Sequence, residues 1–235
     1  MINSVIAWLI AFIVSAAGNK STDIPEAKET RSAALVRYES IATDVADVVW
    51  RNKPLFPGTD GRLQTAALIV STMRFEGSFR KDVDTGAGKL SKGDHEKSVC
   101  LMQIHVGKKR TTPWNFVRDR FAVATDPSRE IVQGWNAKEL LADRKKCIEA
   151  GYRIMSESFH RCSNLPLDGR MRAYVSGSCT KGVTQSHNRI KLAHQWYKMH
   201  KPYFDDALAM QILHTKLPTD PFAPVYLTSN PWHRF

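Results

Sequence analysis

The chain has no CxxC pair and no Cys/His spacing of the kind that holds zinc, so Cys100, Cys147, Cys162 and Cys179 do not read as a metal framework. A phosphate-binding loop is also missing. Gly88-Lys89 could end one only with a glycine at position 83, which is valine, and an apolar helix rather than a strand precedes it. His95-Glu96-Lys97 has no second histidine one turn on, which removes the metalloprotease helix. No stretch repeats, none is of low complexity, and no apolar run reaches the roughly 20 residues of a membrane-spanning helix. Acidic residues are in deficit, 23 against 34 lysines and arginines. The resulting net charge of +11 suits an anionic partner such as nucleic acid, a membrane surface or an acidic polymer like bacterial cell wall. No cofactor and no metal is expected.

What is present starts with "VIAWLIAFIV", continuously apolar from Val5 to Val14 and followed by Ser15, Ala16, Ala17 and Gly18. Length and trailing small residues predict an export signal or weak membrane anchor over residues 1–18, although no Lys or Arg precedes Lys20. The competing expectation is an ordinary buried terminal helix. Export would place the cysteines where thiols pair. Three pairings are possible. Cys147 and Cys162 are poor partners, because fifteen residues of continuous helix would hold them about 22 Å apart.

Residues 19–30 are polar and read as a linker, and residues 201–235, with prolines at 202, 218, 221, 224 and 231, read as a C-terminal tail. Between them the apolar spacing predicts helices. One covers residues 31–50, with Ala34, Leu35, Ile41, Val45, Val48 and Val49 near helical register and a Pro- and Gly-rich break after it. A second starts at the N-cap candidates Thr59 or Asp60 and runs to Glu76, leaving so few polar positions that it must be buried on most sides. "GSFRKDVDTGAGKLSKGDHEKS" reads as loop or short β-hairpin, and residues 111–136 as loop. Helices resume over 137–162, briefly at "RMRAYV", and from the N-cap candidate Ser186 to His200. The fold class is α+β, predominantly helical.

Glu76 is the unusual residue. It ends an apolar helix, at the negative end of the helix dipole and beside Met73 and Phe75, and both circumstances favour the protonated acid. That is what a general acid needs. The plain alternative is a helix-end glutamate turned to solvent.

Four segments, in order, resemble the motifs of the soluble-lytic-transglycosylase family. Glu76-Gly77-Ser78-Phe79 is similar to E-S-x-F, with Gly77 in place of Ser. Cys100-Leu101-Met102-Gln103-Ile104 resembles the second half of G-x-x-G-L-M-Q-I, with Cys100 where a glycine is expected. The run from Cys147 to Met155 resembles N-I-x-x-G-x-x-x-L, with cysteine for the asparagine, and Ala173-Tyr174-Val175-Ser176-Gly177 resembles A-Y-N-x-G.

The resemblance spans roughly residues 60–200 and implies a lysozyme-like catalytic domain within residues 31–200, with a small β/loop insertion after the catalytic helix. It implies that Glu76 is the catalytic acid and then base, that Tyr174 hydrogen-bonds it, and that Ser98, Met102 and Gln103 line the glycan groove. The implied partner is peptidoglycan, with further contact to the anionic envelope and no nucleic acid expected. One carboxylate suffices if the sugar's own 6-hydroxyl attacks. A hydrolysing lysozyme instead usually positions a second carboxylate, about 5 to 9.5 Å away. Asp82, Asp84 and Asp94 are candidates for it, expected on a flexible loop. A non-catalytic basic wall- or nucleic-acid-binding module is the remaining rival. Lys108-Lys109-Arg110 and Arg144-Lys145-Lys146 read as solvated basic faces.

Overall fold

The computed structural model describes residues 2–17, 24–88, 98–105, 135 and 137–200. Asp94, His95, Glu96, the 108–110 basic cluster, nearly all of 111–136 and the tail from 201 lie outside the described residues. Helices dominate, and one two-stranded sheet accompanies them.

Helix α1, Ile2–Ala17, has no charged residue, and Val5, Trp8, Leu9, Phe12 and Ile13 are all buried. It packs on α2 (Arg31–Arg51) and α3 (Gly61–Glu76), and Phe12 stacks on Trp196 with ring centroids 4.6 Å apart. A helix apolar all round needs an apolar medium on every side. Here the protein core supplies much of it, so the segment read as signal or anchor folds as a buried helix. No described helix is long and apolar enough to cross a membrane, and the anchor expectation has no support.

Helix α2 starts where Thr30 accepts a hydrogen bond from the Ala33 amide (3.2 Å). Ile41, Ala42, Val45, Ala46, Val48 and Val49 form its buried stripe. Helix α3 is the centre of the molecule: every residue from Thr65 to Met73 is buried. Its polar members are satisfied internally. Thr65 and Thr72 donate to the carbonyls of Gly61 (2.7 Å) and Leu68 (2.8 Å), and Ser71 donates to the Arg189 carbonyl (2.8 Å). Asp60 precedes this helix but does not cap it, because its carboxylate accepts the Tyr197 hydroxyl instead (2.6 Å).

Residues 81–85, expected as loop, form the short helix α4, Lys81–Thr85. The hairpin lies later: β1, Ser98–Val99, pairs antiparallel with β2, Ile104–His105, in the register Ser98 to His105 and Val99 to Ile104. The expected continuous helix over 137–162 is two. Helix α5, Ala137–Ala142, stops at Asp143, whose carboxylate accepts the amides of Lys145 (3.0 Å) and Lys146 (3.3 Å) and so starts α6, Arg144–Arg161.

Two disulfides, Cys100–Cys147 and Cys162–Cys179, join the hairpin turn to α6 and the end of α6 to the segment after α7, Arg172–Ser176. Cys147 and Cys162 are indeed not partners. Paired cysteines indicate an exported protein. The last described helix, α8, runs Val183–His200, three residues longer at its start than expected. Ser186 is therefore inside it, donating to the Asp168 carbonyl. Helix α8 covers α3 more extensively than any other element does.

Candidate functional site

Helix α3 ends abruptly. The amides of Gly77 and Ser78 both return to the Met73 carbonyl (2.9 and 3.1 Å), and Ser78 and Phe79 adopt the left-handed region with φ of 52° and 56°. Among the described residues only two other non-glycines do so, Cys100 (62°) and Gln103 (46°), which bound the hairpin turn. Each such residue costs about 1–3 kcal/mol, and strain of this kind gathers at functional sites. All four belong to the two segments singled out as motifs.

The surroundings enforce both turns. Phe79 is buried with its ring edge-on to Tyr38 (6.3 Å), and Arg37 on α2 donates to the Phe79 carbonyl (2.8 Å). In the hairpin turn the Gln103 amide closes onto the Cys100 carbonyl (2.9 Å), and its side-chain amide reaches the same carbonyl (3.1 Å). Leu101 and Met102 are fully buried, and Gly151 on α6 admits Met102, since a Cβ there would lie 2.5 Å from its terminal methyl. The two cysteines that replace motif residues, Cys100 and Cys147, are bonded to each other. A covalent link thus ties the turn to the helix.

Glu76 projects from this end of α3 with its side chain 20% exposed. Its environment is not the greasy one expected. Arg189 on α8 donates from Nη2 to Oε1 of Glu76 at 2.6 Å, and the same guanidinium lies 5.3 Å from the Phe75 ring centroid. Tyr174 on α7 gives its hydroxyl proton to the Met102 carbonyl (2.8 Å), not to Glu76. Its phenol is pushed well above the usual value, chiefly by burial, then by the charge of Glu76, with Arg189 opposing. Tyr174 therefore stands within the field of the ion pair as a neutral group. Ser158 steadies it from below, accepting the Tyr174 amide (3.0 Å) while donating to the Arg170 carbonyl (2.6 Å).

Ser98 is buried in β1. The structure so brings Glu76 and Tyr174 together electrostatically, and joins Tyr174 to Met102 and Met102 to the turn of Gln103. Arg189 was missed. A usable signal existed: it is a charge on the stripe formed by Ser186, Ile190, Ala193 and Tyr197, where every other position suits a core-facing helix.

The candidate second carboxylates differ from expectation. Asp82 and Asp84 are buried in α4 and committed elsewhere: Asp82 pairs with Arg80, and Asp84 accepts two bonds from Arg144 (2.8 and 2.7 Å). Arg144 also donates to Ser40 (2.7 Å) and reaches Asp44 (3.4 Å), so it is no solvated basic face. Among the described residues no group of His, Cys, Asp and Glu could hold a metal ion. No protein-family model, curated protein or solved structure matches the chain.

Proposed function

We propose that the chain is a lysozyme-like, peptidoglycan-cleaving lytic transglycosylase, in which Glu76 cuts the β-1,4 bond between N-acetylmuramic acid and N-acetylglucosamine. Glu76 protonates the leaving glycosidic oxygen, and the bond from that oxygen to the anomeric carbon breaks. The 6-hydroxyl of the same muramyl residue bonds to the anomeric carbon, and the Glu76 carboxylate takes the hydroxyl proton. The acid is regenerated, and the product ends in a 1,6-anhydro sugar. Tyr174 stands beside the acid and Gln103 faces the groove on the hairpin side, while Met102 and Ser98, expected to line it, are buried and back that wall instead.

The observation that supports this reading is that the other three motif segments meet one another and that Tyr174, in one of them, lies within the field of Glu76. The acid ends α3, the Leu-Met-Gln-Ile turn meets Tyr174 through the Met102 carbonyl, and Cys147 and Gly151 on α6 pin that turn. Two of the three candidates for a second carboxylate, Asp82 and Asp84, are committed to arginines, which suits the one-carboxylate route, while Asp94 lies outside the described residues. A net charge of +11 and two disulfides suit an exported enzyme, of periplasm, envelope or phage particle, working on an anionic wall.

The test is clearance of purified cell wall by the full chain beside Glu76→Gln, with the released sugars analysed. Lysis lost in the variant and 1,6-anhydro ends are expected. New reducing ends would assign a hydrolase, and equal wall binding without lysis in both proteins would leave only a binding module.

A further inference from the structure

Arg189 is the one charged residue among the buried positions of α8. Its side chain is 8% exposed, and its Nε is buried without a hydrogen-bond partner. Nη1 donates to the Gln185 carbonyl (2.9 Å), one turn earlier, which anchors the guanidinium to its own helix while Nη2 meets Glu76. The backbone is held as well, because Ser71 on α3 donates to the Arg189 carbonyl. Taking a guanidinium out of water costs several kcal/mol, and a purely structural buried pair is commonly replaced by apolar packing without loss. A buried arginine aimed at a part-exposed carboxylate is thus better explained by what it does to that carboxylate.

On the reading of Glu76 as proton donor, we propose that Arg189 is a positioning residue, fixing the Glu76 rotamer and stabilising the carboxylate formed as its proton passes to the leaving oxygen. The interaction is weak with the neutral acid and strong with the anion, so it strengthens along the proton transfer and lowers that barrier. Arg189 from α8 bonds Glu76, and Tyr174 from α7 lies within its field. On α3 itself, Arg74 is turned to the Ser78 hydroxyl (2.7 Å).

The experiment follows the Glu76 carboxyl carbon by NMR in full-length wild type, Arg189→Met and Arg189→Lys, assigned with Glu76→Gln, and records kcat/KM against pH on cell wall. Arg189→Met should raise the titration midpoint by about 1–3 units and move the alkaline limb with it. Its kcat should fall at least about tenfold, the size of a lost charge-stabilising contact. Arg189→Lys should restore most of both. Coincident midpoints in wild type and Arg189→Met, with a lytic wild type, overturn the role of Arg189 alone. A wild type without lytic activity overturns the enzymatic reading and this role with it. If Arg189→Met does not fold, Arg189→Gln is read in the same way. Guanidinium proton exchange at Arg189, expected slow in wild type and fast in Glu76→Gln, tests the pair with the arginine intact; equal exchange refutes it.

Discussion

Asp84 and Glu76 are both acids paired with an arginine far away in sequence, yet they are opposites. Asp84 is 3% exposed, bound twice by Arg144 and approached by Arg37 at 3.6 Å, and the cluster knits α2, α4 and α6 together. Glu76 is 20% exposed and meets Arg189 through one oxygen at the end of a helix whose turn is strained. An acid enclosed by cations is spent on architecture. An acid at the edge of the core with its side chain 20% exposed stays accessible, and the contrast separates a carboxylate enclosed by the fold from one that is open.

The contrast breaks most visibly at Glu76 itself. Glu76→Gln should cut the rate of wall clearance by about 10²–10⁴-fold, the usual worth of a general acid, while far-UV circular dichroism stays native. Asp84→Asn should do the reverse. Removing one partner from a buried ion pair costs about 3–5 kcal/mol, read as a lower urea midpoint, while activity per folded molecule is retained. Replacing Cys100 and Cys147 together by serine should cost about 3–4.7 kcal/mol by loop-closure reasoning and exceed the loss from the pair Cys162 and Cys179, whose separation is 17 rather than 47 residues. Only the first pair should also reduce activity, because it alone holds the Gln103 turn.

Gly151→Ala should cost about 1–3 kcal/mol by crowding Met102, detected by thermal unfolding. The smallest effect is expected at His200, whose ring lies tilted against Trp196 with centroids 3.8 Å apart. Burial lowers its pKa from 6.5, so the unfolded chain binds this proton more readily than the folded one. Its contribution to stability is therefore present above about pH 6.5 and is lost as pH falls below it. His200→Phe should flatten that part of a Tm-against-pH curve, and an unchanged slope would show that His200 is not responsible.

Helices α2 and α3 were legible because apolar spacing is a local property, and burial of Ile41, Val45 and Val49 or of Leu68 to Met73 follows from it. Boundaries were less so. Asp143 divides 137–162 because its carboxylate finds two amides, and Ser186 fails to cap because the helix already runs through it from Val183. The environment of Glu76 was misjudged for the same kind of reason: its neighbours in sequence are apolar, but its partner lies 113 residues away.

Residue chemistry along the chain was enough to set the helical class, the buried central helix, the acid at its end and a cysteine set able to form disulfides, since each depends on neighbours within a few residues. Packing alone decided that α1 lies in the core, that Cys100 meets Cys147, that Asp82 and Asp84 are consumed by arginines, and that Arg189 faces Glu76. Those outcomes depend on which surfaces meet when helices distant in sequence are pressed together, and side-chain charges interact through space without regard to their order in the chain.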